Sequence, residues 1–155
     1  MTTYIAFLRG IMPMNPNMRN EKLRGVFEGL GFKDVQTVIA SGNVIFNSPS
    51  KDSAKLETTI EKALLKDLGI TSPAYIRSKE QLEALIKKNP FEGAEHSRTS
   101  YLIVSFLKKA PWEICTTLDT TNSTTTDFMK NLDKKYGKEV TTRTWKTVEK
   151  IFKKM

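Results

Sequence analysis

The hydrophobic pattern predicts an α+β protein: a βαββαβ unit, then a second α+β unit and a closing helix. Three observations carry this prediction. Short β-favouring runs alternate with stretches of helical period over residues 3–77. A compact Ser41-Gly42-Asn43 connection joins two of those runs. The chain ends in a segment whose Trp145, Val148, Ile151, Phe152 and Met155 fall on one helical side.

The first strand covers residues 4–8, apolar and aromatic, and stops at Gly10. A loop then runs to Met18. Pro13 and Pro16 remove backbone donors there, and Asn15 and Asn17 favour turns and caps, so neither helix nor ladder is expected. Leu23, Val26, Phe27 and Leu30 recur at helical spacing and place a helix over residues 19–30, with Gly31 as its left-handed stop. Strands at 35–40 and 44–46 flank the Ser41-Gly42-Asn43 turn, whose Gly42 and Asn43 tolerate positive φ. Asp52 or Ser53 caps a second helix that buries Leu56, Ile60, Ala63, Leu64 and Leu68 and closes at Gly69. Residues 73–77 form the fourth strand. This order over residues 3–77 is that of a ferredoxin-like unit, with helices on one face of an antiparallel sheet.

Ser78 and Gln81 make a capping box for a third helix over 79–88, which Asn89-Pro90 stops. Residues 101–107 are nearly all apolar and read as a central strand. Residues 116–126 hold seven threonines and a serine with one leucine, too little apolar surface to bury, and read as loop. Helices return at 127–136, stopped by Gly137, and at 144–155. The division expected is residues 1–77 and 78–155, the two parts packed as one compact unit.

With 155 residues, 39% of them apolar, the chain has the makings of a globular core. Its formal charge of +8 favours acidic partners. Cys115 is the sole cysteine and His96 the sole histidine, which excludes a disulfide framework and a zinc site built from several Cys or His ligands of one chain. No apolar run approaches the roughly 20 residues of a membrane span, and the N-terminal run is too short for a signal peptide. The expectation is a cytoplasmic protein with no cofactor and no membrane partner.

The chain resembles a bacterial family, the domain of unknown function 1697. The resemblance rests on Leu8-Arg9-Gly10-Ile11, Ser41-Gly42-Asn43-Val44, Asn89-Pro90-Phe91 and Thr142-Arg143-Thr144-Trp145, four motifs in family order. It implies two ferredoxin-like subdomains and no known activity. Met12 stands where the family usually has asparagine, and the stretch between Leu107 and Asp127 is shorter than is common there. The resemblance therefore implies an incomplete second subdomain with an exposed sheet edge.

Two groups of residues suit an anion. Arg9, Gly10, Asn15, Asn17, Ser41 and Asn43 sit at strand ends and connections, where backbone amides and a guanidinium can meet one. Thr142 and Arg143 precede the last helix, whose N-terminal amides favour phosphate. Each group has an equally direct folding role: turn, cap or core anchor. Lys146, Lys150, Lys153 and Lys154 form a basic stripe opposite Trp145, able to track nucleic-acid phosphates or simply to be solvated. The third strand offers one Phe and no basic-Gly-aromatic pattern, which disfavours base stacking on the sheet. His96 has no nucleophile motif beside it, Cys115 has no visible activator, and no catalytic constellation stands out. The function expected is a non-catalytic binding module for a small phosphate-bearing anion. The alternatives are a small-molecule enzyme with its pocket between subdomains, using His96 or an arginine, and nucleic-acid binding through the terminal lysines.

Overall fold

The computed structural model describes residues 1–122, 124–137 and 139–155. Among them are two antiparallel sheets and five α-helices, in the order β1 (Thr2–Leu8), α1 (Asn20–Gly29), β2 (Lys33–Thr37), β3 (Asn43–Ser48), α2 (Ser53–Leu68), β4 (Ala74–Ser78), α3 (Lys79–Lys88), β5 (Ser100–Leu107), β6 (Glu113–Asp119), α4 (Thr125–Tyr136), β7 (Val140–Thr144) and α5 (Trp145–Lys154). The chain divides into one unit of Met1–Glu83 with Ile151–Met155 and another of Ala84–Lys150.

In the first unit the strand order is β2-β3-β1-β4, with every neighbouring pair antiparallel. Side chains alternate across a strand, so Tyr4, Ala6 and Leu8 meet α1 and α2 together with Val44, Phe46, Ala74 and Ile76. The helices answer with Leu23, Val26, Phe27, Leu56, Ile60 and Leu64. On the opposite face Ile5, Phe7, Ile45, Tyr75 and Arg77 are buried as well. Burial on both faces explains why residues 4–8 read as an unbroken apolar run rather than an alternation. Phe46 anchors the core, stacked on Phe32 at 4.5 Å and edge-on to Phe27 at 5.5 Å.

The helix ends follow the expected chemistry. Asp52 Oδ1 accepts from Lys55 N at 3.1 Å, and Gly69 closes α2 at φ 66°. Ser78 N donates to Gln81 Oε1 at 2.8 Å and Gln81 N donates back to Ser78 Oγ at 3.1 Å, the capping box of α3.

In the second unit β5 is central in the order β6-β5-β7. Leu107, Leu132 and Val140 form a core with Ile114, Phe128, Met129 and Tyr136. Thr124 caps α4 and Gly137 ends it at φ 64°.

Several expectations need correction. A 3-10 turn, Pro16–Met18, forms inside the loop expected to be irregular, with Asn15 as its cap. β2 ends at Thr37 rather than residue 40 and carries a register shift between Lys33 and Gln36. In the connection the positive φ belongs to Ile39 (60°) and Gly42 (80°), while Asn43 is already the first residue of β3. The threonine-rich stretch is largely ordered: β6 reaches Asp119 and α4 starts at Thr125, with Ser123 outside the described residues. Threonine is β-branched and suits an edge strand that stays half-exposed, and within β6 only Leu118 is buried. β7 (Val140–Thr144) occupies the residues read only as the approach to the last helix, which begins at Trp145. Among the described residues the second sheet has three strands, with β6 lying between Leu107 and Asp127.

Candidate functional site

Where β1 stops and β3 and β4 begin, three connections meet. Leu8 N donates to Gly42 O at 2.8 Å, and Phe7 lies opposite Asn43 in the ladder. Arg9 N donates to Pro73 O at 3.0 Å, and Ser72 Oγ donates to Arg9 O at 2.7 Å. Two of the sequence motifs, residues 8–11 and 41–43, are therefore one corner. Gly42 is what lets them touch: at φ +80° a Cβ would stand 2.6 Å from Ile11 Cγ1 and 3.0 Å from Leu8 O.

The polar residues of this corner are largely occupied by the corner itself. Asn43 is fully buried, and its Nδ2 donates to Val38 O and to Ser41 Oγ, both at 2.9 Å. Asn15 Oδ1 accepts from Asn17 N at 3.0 Å, and Asn17 Nδ2 reaches Leu68 O at 3.4 Å. Asn20 Nδ2 donates to Ile39 O at 3.2 Å. These amides tie the 11–20 segment to the end of α2 and to the 38–42 connection. Arg9 is half-buried at the mouth, and Gly10 is exposed at φ +77°. Among the described residues the amides of Gly10 and Ile11 have no acceptor. Two consecutive amides beside a guanidinium offer donors and positive charge to a single anion.

An adjoining cavity of about 240 Å³ shares Ser72 and Pro73 with the corner and is otherwise lined by Glu61, Lys62, Leu65 and Thr71. Sequence reasoning missed this wall. Its signal was Pro73, which ends the α2 connection just before a strand. Arg77 was missed too: it is buried, and its Nη1 donates to Ile76 O at 2.9 Å.

In the second unit the candidate residues are built into structure. Arg143 Nη1 donates to Thr141 Oγ1 at 2.9 Å and to Thr142 O at 2.7 Å, so the guanidinium folds onto its own strand. Burial pushes its pKa down to about 10, which leaves it cationic at neutral pH. Thr142 Oγ1 donates to Met129 Sδ at 3.3 Å. Thr144 Oγ1 accepts from Thr147 N at 3.4 Å at the start of α5, and Trp145 packs edge-on against Phe91 at 5.2 Å. Thr142 and Arg143 thus lie in β7, immediately before α5, and their polar groups are engaged there.

His96 is half-buried and stacks on Tyr101 at 4.9 Å, and its Nδ1 accepts from Leu102 N at 3.2 Å. That bond places the neutral ring's proton on Nε2 and occupies the nitrogen a general base would use. Cys115 sits half-buried in β6; burial and Glu113 raise its thiol pKa, with Lys88 opposing. On α5, Lys146, Lys150, Lys153 and Lys154 are all exposed along one side. Among the described residues no helix is long and apolar enough to cross a membrane.

Over residues 1–136 the sequence matches the family described as "Protein of unknown function (DUF1697)". The chain belongs to this family. The fold is similar to that of the conserved bacterial protein SP0830 from Streptococcus pneumoniae, a structural neighbour with a TM-score of 0.80 at 21% identity, over 99% of this chain and 98% of that one. A match of that extent means the fold is shared along the whole chain. No curated protein matches the sequence.

Proposed function

We propose that this member of the family is a non-catalytic module that binds a small phosphate-bearing anion at the β1–β3–β4 corner. The observation that carries the reading is the pair of amides at Gly10 and Ile11 beside Arg9. Ser41, Asn43, Asn15 and Asn17 hold the corner's shape rather than the ligand. Arg143 and Thr142 take no part, because their polar groups bond within the second unit. In this reading the first unit is ferredoxin-like, supported by its βαββαβ order and the strand order β2-β3-β1-β4. A cytoplasmic setting fits a chain whose sole thiol is half-buried.

The test is a thermal-shift screen with orthophosphate, nucleotides and sugar phosphates on the wild type and Arg9→Ala. A ligand at one hundred times its Kd stabilises by about 2.7 kcal/mol, or roughly 5–10 °C for a chain of this size. The expected result is such a shift in the wild type that is lost in Arg9→Ala. No shift with any of these ligands, or an equal shift in the variant, would overturn the proposal.

A second reading, nucleic-acid binding, is favoured by the exposed lysine row on α5. Stacking of bases on the first sheet is not part of it, since Phe7 and Tyr75, aromatics on the face away from α1 and α2, are buried.

A further inference from the structure

β4 is an edge strand, because the order β2-β3-β1-β4 leaves one of its sides without a neighbour. Its amides at Ala74, Ile76 and Ser78 point to that side, since Pro73 O, in step with Tyr75 and Arg77, already accepts from Arg9 N on the β1 side. Each of the three has a side-chain acceptor. Ala74 N donates to Glu61 Oε2 at 2.9 Å, Ile76 N to Glu57 Oε2 at 2.9 Å and Ser78 N to Gln81 Oε1 at 2.8 Å. The spacing explains the fit: four residues of helix advance about 6 Å and two residues of strand about 6.8 Å, so glutamates one turn apart on α2 meet alternate amides of β4. We propose that Glu57, Glu61 and Gln81 together stand in for a neighbouring strand and close this edge to pairing with a second copy of the chain.

A second copy is the occupant that the edge would otherwise take. The outward row of Ala74, Ile76 and Ser78 is symmetric about Ile76. A two-fold axis through that residue would set Ile76 against Ile76 and Ala74 against Ser78, with no like charges opposed. An uncovered edge of that kind is a template for association.

The experiment uses the full chain as wild type, E57A, E61A, the double variant E57A/E61A and the control E57Q/E61Q, whose amide oxygens can still accept. Amide hydrogen exchange by NMR should accelerate at least about tenfold at Ile76 alone in E57A and at Ala74 alone in E61A, with Tyr75 and Arg77 unchanged. Sedimentation should show the double variant forming dimers with rising concentration at levels where wild type and E57Q/E61Q do not. Unchanged exchange at Ala74 and Ile76 in the single variants would overturn the proposal. So would a double variant with fast exchange at both amides that sediments as the wild type does.

Discussion

Replacing Gly42 by alanine tests whether the corner is held together by close approach rather than by turn preference. Two costs add. An L-residue at φ +80° pays for a left-handed backbone, about 1–2 kcal/mol. The new Cβ would also stand 2.6 Å from Ile11 Cγ1 and 3.0 Å from Leu8 O, and one of these is backbone that cannot rotate away. Forcing a methyl into such a site typically costs about 1–3 kcal/mol. Together the loss is about 2–5 kcal/mol, a fall in Tm of roughly 5–15 °C for a domain of this size. Gly69→Ala supplies the comparison, because Gly69 has φ +66° but a Cβ there would meet nothing within 4 Å, so the variant bears the backbone cost alone. Urea denaturation of the two variants, followed by circular dichroism, measures the difference. Adding Ile11→Ala to Gly42→Ala should recover part of the steric loss, and only part, since Leu8 O stays in place. Equal losses in Gly42→Ala and Gly69→Ala would refute the argument from contact.

Two further outcomes are expected. Asp119 accepts from Thr121 Oγ1 at 2.6 Å, Thr121 N at 2.9 Å and Asn122 Nδ2 at 2.7 Å, and these bonds hold its carboxyl below the usual value of 3.8. The ionised form is favoured by folding, so its stabilisation is present above pH 3.8 and fades as the pH falls through the lower folded value. The Tm difference between wild type and Asp119→Ala should therefore be seen at pH 6 and shrink steadily below pH 3.8; a difference independent of pH would contradict this. If the lysine row of α5 tracks phosphates, binding to mixed-sequence RNA or DNA should weaken linearly on a log–log plot against salt. Lys146→Glu with Lys150→Glu should lower that slope by about two, and an unchanged slope would remove the second reading.

The first unit was legible in the order of its strands and helices, and for a physical reason. Its helices carry apolar stripes such as Leu56, Ile60 and Leu64, and their ends are marked by Asp52, Gly69 and the Ser78–Gln81 pair, all of which are local signals. The second unit was legible only in part. β6 and β7 are rich in threonine and owe their strand character to pairing with β5, and no short window records that partner. The candidate site divides in the same way. Arg9 and Gly10 were singled out because the glycine after a strand end is visible in the sequence. That Asn43 is spent on Val38 and Ser41, or that Glu57 and Glu61 reach the amides of β4, depends on where the chain returns after a loop. Arg143 was read from the helix that follows it, whereas its acceptors Thr141 and Thr142 lie on its own strand.

The packing of Trp145 against Phe91 has an optical consequence. The sequence holds two tryptophans, and both Trp112 and Trp145 fall within Ala84–Lys150. Trp112 is 51% exposed and Trp145 is 9% exposed. Indole emission excited at long wavelength thus comes from one unit alone, with a blue component that iodide reaches poorly and a red one that it quenches. Circular dichroism sums over the whole chain. Melting curves that superimpose in the two signals would mark a single cooperative transition, and curves that separate would give each unit its own temperature.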